Sequence, residues 1–470
     1  MRNKYYPFIN LNFTIKNGFY LLLFLNCIFF SNHLFSQPIK VEIKKTDEGF
    51  ILQRNGQEYY VIGAGGQTNL DLVVELGGNS IRTWGLENAQ EVLDQAHSKG
   101  LSVMLGFWVQ HERHGFDYDN DEKVKKQIAH FKRAIDQFKN HPALLMWGIG
   151  NEVDLFYTNP KVWNSIQEIA KYAHEVDPNH PTSTVTAGLD SLEVKHILAR
   201  CPDIDIYCVN TYGDIANVPQ NIQKYGWNKP YMITEWGPNG HWESPVTGWN
   251  AAIEQTSKEK ADVYQFRYSE YIEKNKNHCL GSYVFLWGQK QEYTTTWYGL
   301  FSKEGYQTEA IDALKLAWSK TSPNTPTPTI NSFKLDGKKS SESLHLMSNS
   351  KNHFAEINTN LKCYDLKNCN LNKVRVTWKI LSESTDKKAG GDVENEAEEV
   401  SVTWKKQTNN GVYFDAPSTE GAYRLFVTII YENKVAYANF PFYVDLDPAR
   451  GNGRNLWIKK WEMKSFDEKE

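Results

Sequence analysis

Two hydrophobic periods alternate along most of the chain. Short apolar or β-branched runs bounded by Gly, Asn or Pro read as strands, and they alternate with longer segments whose apolar residues return at three and four, the spacing of an amphipathic helix. The runs Tyr60–Ala64, Ser80–Trp84, Ser102–Trp108, Leu144–Gly150, Thr182–Ala187, Ile204–Asn210, Tyr231–Glu235 and Gly281–Trp287 predict eight strands. Between them Asn88–Ser98, Glu122–Lys139, Val162–Glu175 and Lys258–Lys274 predict helices, and Glu309–Ser319 closes the series. Within Glu122–Lys139 the residues Val124, Ile128, Phe131 and Ile135 make the apolar stripe, and Lys125, Lys126 and Lys132 fall on the solvated side. Eight βα units in succession predict an α/β fold of the TIM (β/α)8 barrel type, with a doubly wound open sheet as the alternative for any such chain. The barrel is preferred because the count is eight and because polar residues collect at the strands' C-terminal ends, the face on which barrel enzymes place their chemistry.

Past Ser319 the texture changes. Thr321–Thr329 (TSPNTPTPT) is a Pro/Thr linker, expected to be stiff and extended rather than packed. Beyond it Lys373–Ile380, Glu399–Trp404, Tyr423–Tyr431 and Ala436–Val444 lack helical period and predict a small β-sandwich of immunoglobulin or fibronectin type. Inside that region Glu383–Glu399 (ESTDKKAGGDVENEAEE) is so charged that it reads as a loop. The expected organisation is therefore a leader over residues 1–36, a barrel over 37–320, a linker over 321–329, a sandwich over 330–447 and a polar tail over 448–470, in which Trp457 and Trp461 are candidate anchors.

The leader reads as a signal peptide. Arg2, Lys4 and Lys16 precede the apolar run Gly18–Phe30, which is shorter than the roughly 20 residues of a spanning helix, and Ser36 before Gln37 suits cleavage. An uncleaved anchor is the competing interpretation. No later segment is apolar enough to span a bilayer, so the expected location is secreted or periplasmic, with no integral membrane segment after signal removal. Of six cysteines, Cys27 leaves with the signal, and Cys201, Cys208 and Cys279 lie in or beside apolar strand-like runs, where they behave as small buried hydrophobes. An oxidising compartment permits a disulfide between Cys363 and Cys369 and leaves a reduced pair equally open. No CxxC pair with a matching His cluster occurs, so no metal and no cofactor are expected. The net charge of −4 supplies no basic face for nucleic acid, and oligomeric state is left open. The unusual figure is the aromatic share of 13%, with 15 Trp, 25 Tyr and 23 Phe, which suits stacking on the flat faces of sugars.

The candidate chemistry sits on two strands. The fourth, Leu144–Gly150, ends in Asn151-Glu152, and the seventh, Tyr231–Thr234, ends in Glu235-Trp236-Gly237. In each, a carboxylate follows an apolar run that must be buried, so both emerge at the barrel mouth, facing across it. Cleaving a glycosidic bond with retention needs such a pair about 5–5.5 Å apart, one carboxylic acid to protonate the leaving oxygen and one carboxylate to attack the anomeric carbon. A single such Glu would read as a surface salt bridge. Two, each with a polar or aromatic neighbour, read as catalytic.

Gly-Asn-Glu ending the fourth strand and Thr-Glu-Trp-Gly ending the seventh resemble the clan A retaining glycoside hydrolases. Gly78–Trp84 (GNSIRTW) is similar to the second-strand motif of the family 2 TIM-barrel catalytic domain, and Phe50–Gly56 (FILQRNG) is similar to the lead-in to that barrel. The resemblance implies that Glu152 is the acid/base and Glu235 the nucleophile. It implies that Asn151 binds the sugar 2-hydroxyl, that Arg82 keeps the nucleophile charged, that Tyr212 orients it and that Trp287 forms the floor under the reacting sugar. Family 2 enzymes usually carry jelly-roll and immunoglobulin-like domains before the barrel. Here only a short segment precedes it and the β-domain follows, which predicts a more open cleft.

Two further stretches are candidates for substrate contact. His111-Glu112-Arg113-His114 follows the third strand and lacks the HExxH spacing of a zinc site, so His111 and His114 are expected to hydrogen-bond sugar hydroxyls. Trp236, Trp242, Trp297 and Tyr298 crowd the loops after the last two strands, where Trp236 and Trp297 are expected to stack on sugar rings. The expected function is a secreted retaining β-glycoside hydrolase acting on a β-glucan or β-mannan type glycan, an oligo- or polysaccharide. A transglycosylase using the same glutamates is the first alternative, and a non-catalytic carbohydrate-binding protein is the second.

Overall fold

The computed structural model describes residues 37–325, 327–359, 374–408 and 410–446. The leader with Cys27, the Cys363 and Cys369 pair, and the tail with Trp457 and Trp461 lie outside the described residues.

An antiparallel meander of β1 (Val41–Thr46), β2 (Gly49–Arg54) and β3 (Gln57–Glu58) comes first. The barrel then runs β4 (Val61–Gly65), α1 (Leu70–Glu75), β5 (Ser80–Arg82), α2 (Ala89–Ser98), β6 (Ser102–Phe107), α3 (Asp121–Phe138), β7 (Leu144–Asn151), α4 (Lys161–Val176) and β8 (Thr182–Ala187). It continues with α5 (Ser191–Arg200), β9 (Ile206–Asn210), α6 (Val218–Lys224), β10 (Tyr231–Trp236), α7 (Ser257–Arg267), β11 (Cys279–Val284) and α8 (Glu309–Ser319). Strands β4 to β11 pair in parallel in sequence order, and β11 returns to β4 to close the ring. Each of the eight expected strands is present within a few residues of its expected bounds.

Local sequence explains the helix ends. The Asn120 side chain accepts from the backbone N–H of Lys123 and starts α3, with Asp121 and Glu122 in its first turn. Thr256 and Glu259 form a reciprocal capping box at the start of α7. The helix expected to reach Lys274 leaves α geometry after Arg267, passing into a π turn at Tyr268–Ile272 and a 3-10 turn at Glu273–Asn275. Two apolar layers follow from the pleat. Residues such as Trp147, Ile149, Ile233 and Val284 pack outward against the helices. Met104, Leu145, Met146, Ile206, Cys208, Met232 and Tyr283 fill the interior, with Val41 and Leu52 of the meander plugging it from below. Cys201, Cys208 and Cys279 are free and buried, in line with their apolar settings.

The second unit contains β12 (Ser332–Leu335), β13 (His345–Met347), β14 (His353–Asn358), β15 (Val374–Ser382), β16 (Trp404–Thr408), β17 (Gly411–Phe414), β18 (Gly421–Tyr431) and β19 (Lys434–Asp445). They form two four-stranded sheets, β12-β14-β17-β16 and β13-β19-β18-β15. Phe333, Ile357 and Phe414 of the first sheet share one apolar cluster with Leu425, Ile429 and Phe440 of the second. The strand expected at Glu399–Trp404 is absent: Glu399 makes only a single bridge to Leu381, and β16 begins at Trp404. Val400 and Val402 pack against the core, and the Val400 N–H donates to Ile380 O at 2.8 Å, so the segment lies along β15 without extending into a strand.

The linker also differs from expectation. Thr327 is buried, and its backbone N–H donates to Asp312 of α8 at 2.7 Å. Asp312 also receives Lys434 of β19 at 2.6 Å. The backbone N–H of Tyr437 donates to Ser257 Oγ at 3.1 Å, and Arg424 Nη2 donates to Ala252 O at 2.8 Å. The second unit is therefore seated on the barrel rather than tethered to it.

Candidate active site

Both candidate carboxylates stand where a barrel strand breaks its pleat. The β7–β8 register shifts between Gly148 and Asn151, with φ +82° at Gly150 and φ +50° at Glu152. The β9–β10 register shifts between Ile233 and Glu235. A bulge places two successive side chains on one side of a strand and reverses every later position. In β10, Tyr231 and Ile233 face the helices and Met232 faces the interior. After the bulge Thr234 and Glu235 both serve the interior, and Trp236 is sent outward between Tyr264 and Tyr268.

Glu235 is held on both oxygens. Its Oε1 accepts from Arg82 Nη1 at 3.1 Å and from Trp84 Nε1 at 2.8 Å, and its Oε2 accepts from the Tyr212 hydroxyl at 3.1 Å. Arg82 spreads its other contacts over Thr234 O at 2.7 Å, Asn210 Oδ1 at 3.2 Å and Asn151 Oδ1 at 2.6 Å. Because a guanidinium can only donate, the amide of Asn151 must turn its oxygen to Arg82 and its nitrogen the other way.

Glu152 is placed differently. Its Oε1 accepts from Asn210 Nδ2 at 2.8 Å, and that nitrogen also donates to Asn151 Oδ1 at 3.1 Å. Burial, followed by the charge of Glu235, pushes the Glu152 carboxyl up to about 7, against the opposing pull of Asn210 and Arg82. Asn210 thus links the two carboxylates, donating to Glu152 while its oxygen accepts from the arginine that binds Glu235.

Glu152 and Glu235 open into a cleft of about 630 Å³, which Trp84, Trp108, Phe156, Tyr212, Trp242 and Phe285 line with aromatic faces. A carboxyl group raised to about 7 and a carboxylate held by an arginine, lining one aromatic cleft, are the pair that an acid/base and a nucleophile in glycosidic-bond cleavage need.

The residues expected at the site divide into two groups. Arg82, Asn151, Glu152, Tyr212 and Glu235 are brought together. Trp236, Trp287 and Trp297 do not line the cleft. Trp287 follows β11 on its outer side, packs against Phe301 and Trp318, and donates Nε1 to Thr68 O at 2.8 Å; Phe285 and Leu286 occupy the cleft in its place. Trp297 is buried behind the wall and donates to Asn239 O at 2.9 Å. His111 is buried behind Trp108, with ring centroids 4.8 Å apart, and burial brings its imidazole down to about 4. His114 faces Asp392 of the second unit at 3.1 Å, and neither histidine lines the cleft.

Sequence reading passed over Asn210, Trp84 and Glu292. Asn210 and Trp84 sit at or just past strand ends, close to Glu235 and Arg82, and that position is their only signal in the sequence. Glu292 is a third buried cleft carboxylate, raised chiefly by burial and paired with Lys290 at 2.7 Å.

The parallel barrel carries one glutamate at the mouth end of its fourth strand and one at that of its seventh. Residues 67–280 match the family model described as glycosyl hydrolases family 2, TIM barrel domain, so the barrel is similar to that family's. A β-glucuronidase of Paenibacillus borealis is 24% identical over 247 residues, covering 42% of this chain and 39% of that one. A β-galactosidase of Bacteroides ovatus is 28% identical over 206 residues, covering 36% of this chain and 23% of that one. A solved β-glucuronidase from an uncultured Clostridium species superimposes with a TM-score of 0.45 at 20% identity, over 60% of this chain and 54% of that one. The chain thus spans less than half the length of either of these curated relatives.

Proposed function

We propose that the chain is a retaining β-glycoside hydrolase acting on an oligo- or polysaccharide, exported by its leader. Glu235 attacks the anomeric carbon while Glu152 gives its proton to the departing glycosidic oxygen. The resulting glycosyl-enzyme is hydrolysed when Glu152, now a base, takes a proton from the incoming water. One observation carries the reading: Glu235 receives hydrogen bonds from Arg82, Trp84 and Tyr212, whereas Glu152 sits where burial pushes its carboxyl up to about 7. The Asn151 amide nitrogen, turned away from Arg82, suits a sugar 2-hydroxyl. Relatives named as β-glucuronidases and β-galactosidases support a β-linked pyranoside, and within that class a β-glucan or β-mannan type glycan is the substrate we favour. The two C-terminal sheets with their shared core support an immunoglobulin or fibronectin-like sandwich.

Replacing Glu235 by Gln is expected to lower turnover of an activated aryl β-glycoside by about 10⁴-fold. Glu152→Ala should retain the first step with such a leaving group and yield a glycosyl azide when azide is added. Full activity in both variants would overturn the assignment. Activity of the purified protein on a polysaccharide panel tests the glycan.

A further inference from the structure

The charged segment Glu383–Glu399 belongs by sequence to the second unit, yet Lys388, Ala389, Gly390 and Gly391 line the same cleft as Glu152 and Glu235. It is anchored on two sides of the barrel mouth. After β11, the eighth barrel strand, the backbone N–H of Tyr293 donates to Glu394 at 2.6 Å and Lys290 Nζ donates to Gly391 O at 3.2 Å. After β6, the third, Arg113 Nη1 reaches Asp392 at 2.8 Å and Ala389 O at 3.0 Å, while His114 meets Asp392 at 3.1 Å. The fit is close. A Cβ on Gly390 would come 2.6 Å from Leu155 Cδ2 and 2.7 Å from Arg113 Nη2, and one on Gly391 would come 2.9 Å from Lys290 Nζ. Both glycines have positive φ, 62° and 74°, a conformation that favours glycine, and the peptide they form lies directly against these barrel-loop side chains.

Leu155 follows Glu152 by three residues, and its neighbour Phe156 lines the cleft with 69% of its surface exposed. Together with Trp242, 60% exposed in the same cleft, it makes a concave apolar lining of the kind that receives a ligand. The general acid must stand beside the leaving oxygen, so this corner receives the departing group.

We infer that Lys388–Gly391 forms, with Leu155 and Phe156, the wall that recognises the leaving-group side of the substrate, a sugar or aryl ring, and that Arg113 and His114 are positioning residues holding this wall through Asp392. The inference rests on the proposed two-carboxylate reading. The second unit then completes the substrate site, and the cleft expected to be open is crossed by a strap.

The test compares leaving groups. The β-galactosyl, β-glucosyl, β-mannosyl and β-glucuronyl fluorides depart as a single atom and need no wall, whereas the matching 4-nitrophenyl glycosides and disaccharides do. Ala389→Trp, at an exposed wall position, and Asp392→Ala should keep kcat/KM for the best fluoride within about 2-fold. Both should lower it for the ring-bearing substrates by about 10-fold or more, chiefly through KM. Equal loss on both substrate types, or loss on neither, overturns the inference and leaves the two-carboxylate reading standing. A wild-type protein that turns over none of the fluorides overturns both.

Discussion

Arg82 and Glu235 form an ion pair almost wholly shut off from water, with Nη1 and Oε1 3.1 Å apart and side chains 2% and 7% exposed. They come from strands on different sides of the ring, so the pair spans the barrel interior just below the cleft. Removing one member leaves an uncompensated buried charge, which costs about 3–5 kcal/mol.

Arg82→Met should therefore lower unfolding free energy by about 3–5 kcal/mol in denaturant titration. Arg82→Lys should restore little, because an ammonium cannot reach Glu235, Thr234, Asn210 and Asn151 with the spread of a guanidinium. Combining Arg82→Met with Glu235→Gln should regain most of the loss, since no bare charge remains. A double variant as unstable as the single one would show that packing and not charge sets the cost.

The Glu152 carboxyl, pushed up to about 7, must be protonated to assist departure of a poor leaving group. The rate with unactivated substrates should then fall as pH rises through about 7. Asn210 opposes the upward shift by donating to Glu152. Asn210→Asp loses that donor and adds a like charge, so the alkaline limb of the kcat/KM profile should move to higher pH as kcat falls. A limb that stays put would exclude Glu152 as the titrating acid.

Glu309 reports on the seam between the two units. It accepts from Ser257 Oγ at 2.9 Å, and Ser257 in turn accepts from the backbone of Tyr437. Burial raises its carboxyl from 4.5 to about 8. A group raised in the folded state contributes stability that is complete below its unfolded value and is lost as pH rises through the folded one. Thermal stability should decline as pH climbs from about 4.5 through about 8, and Glu309→Gln, which keeps an acceptor for Ser257, should flatten that decline in calorimetry. Parallel curves for the two proteins would refute it.

Periodicity made the barrel legible because each strand and helix records in its own residues which side it buries. Thr182–Ala187 and Glu309–Ser319 match their expected bounds to the residue. The meander β1–β3 was not legible, since its strands are at most six residues long and few of their side chains are fully buried, with Glu42, Lys44 and Lys45 breaking the apolar pattern of β1. The glutamates stood out because there are two of them, each ending a buried run beside a polar or aromatic neighbour. The tryptophans misled, since a count of residues past a strand cannot register a bulge: the slip at Thr234–Glu235 that brings Glu235 inward also turns Trp236 out.

By itself the chain's order of apolar and polar residues determined eight βα units, a β-rich second unit and two mouth-facing carboxylates, because each depends only on neighbours a few positions away. Only the tertiary structure decided that Asn210 joins Glu152 to Arg82, that Arg113 and His114 meet Asp392, and that Lys388–Gly391 reaches the cleft. Those contacts bring together residues as far apart as Arg113 and Asp392, and no local pattern carries the free energy of closing so long a loop.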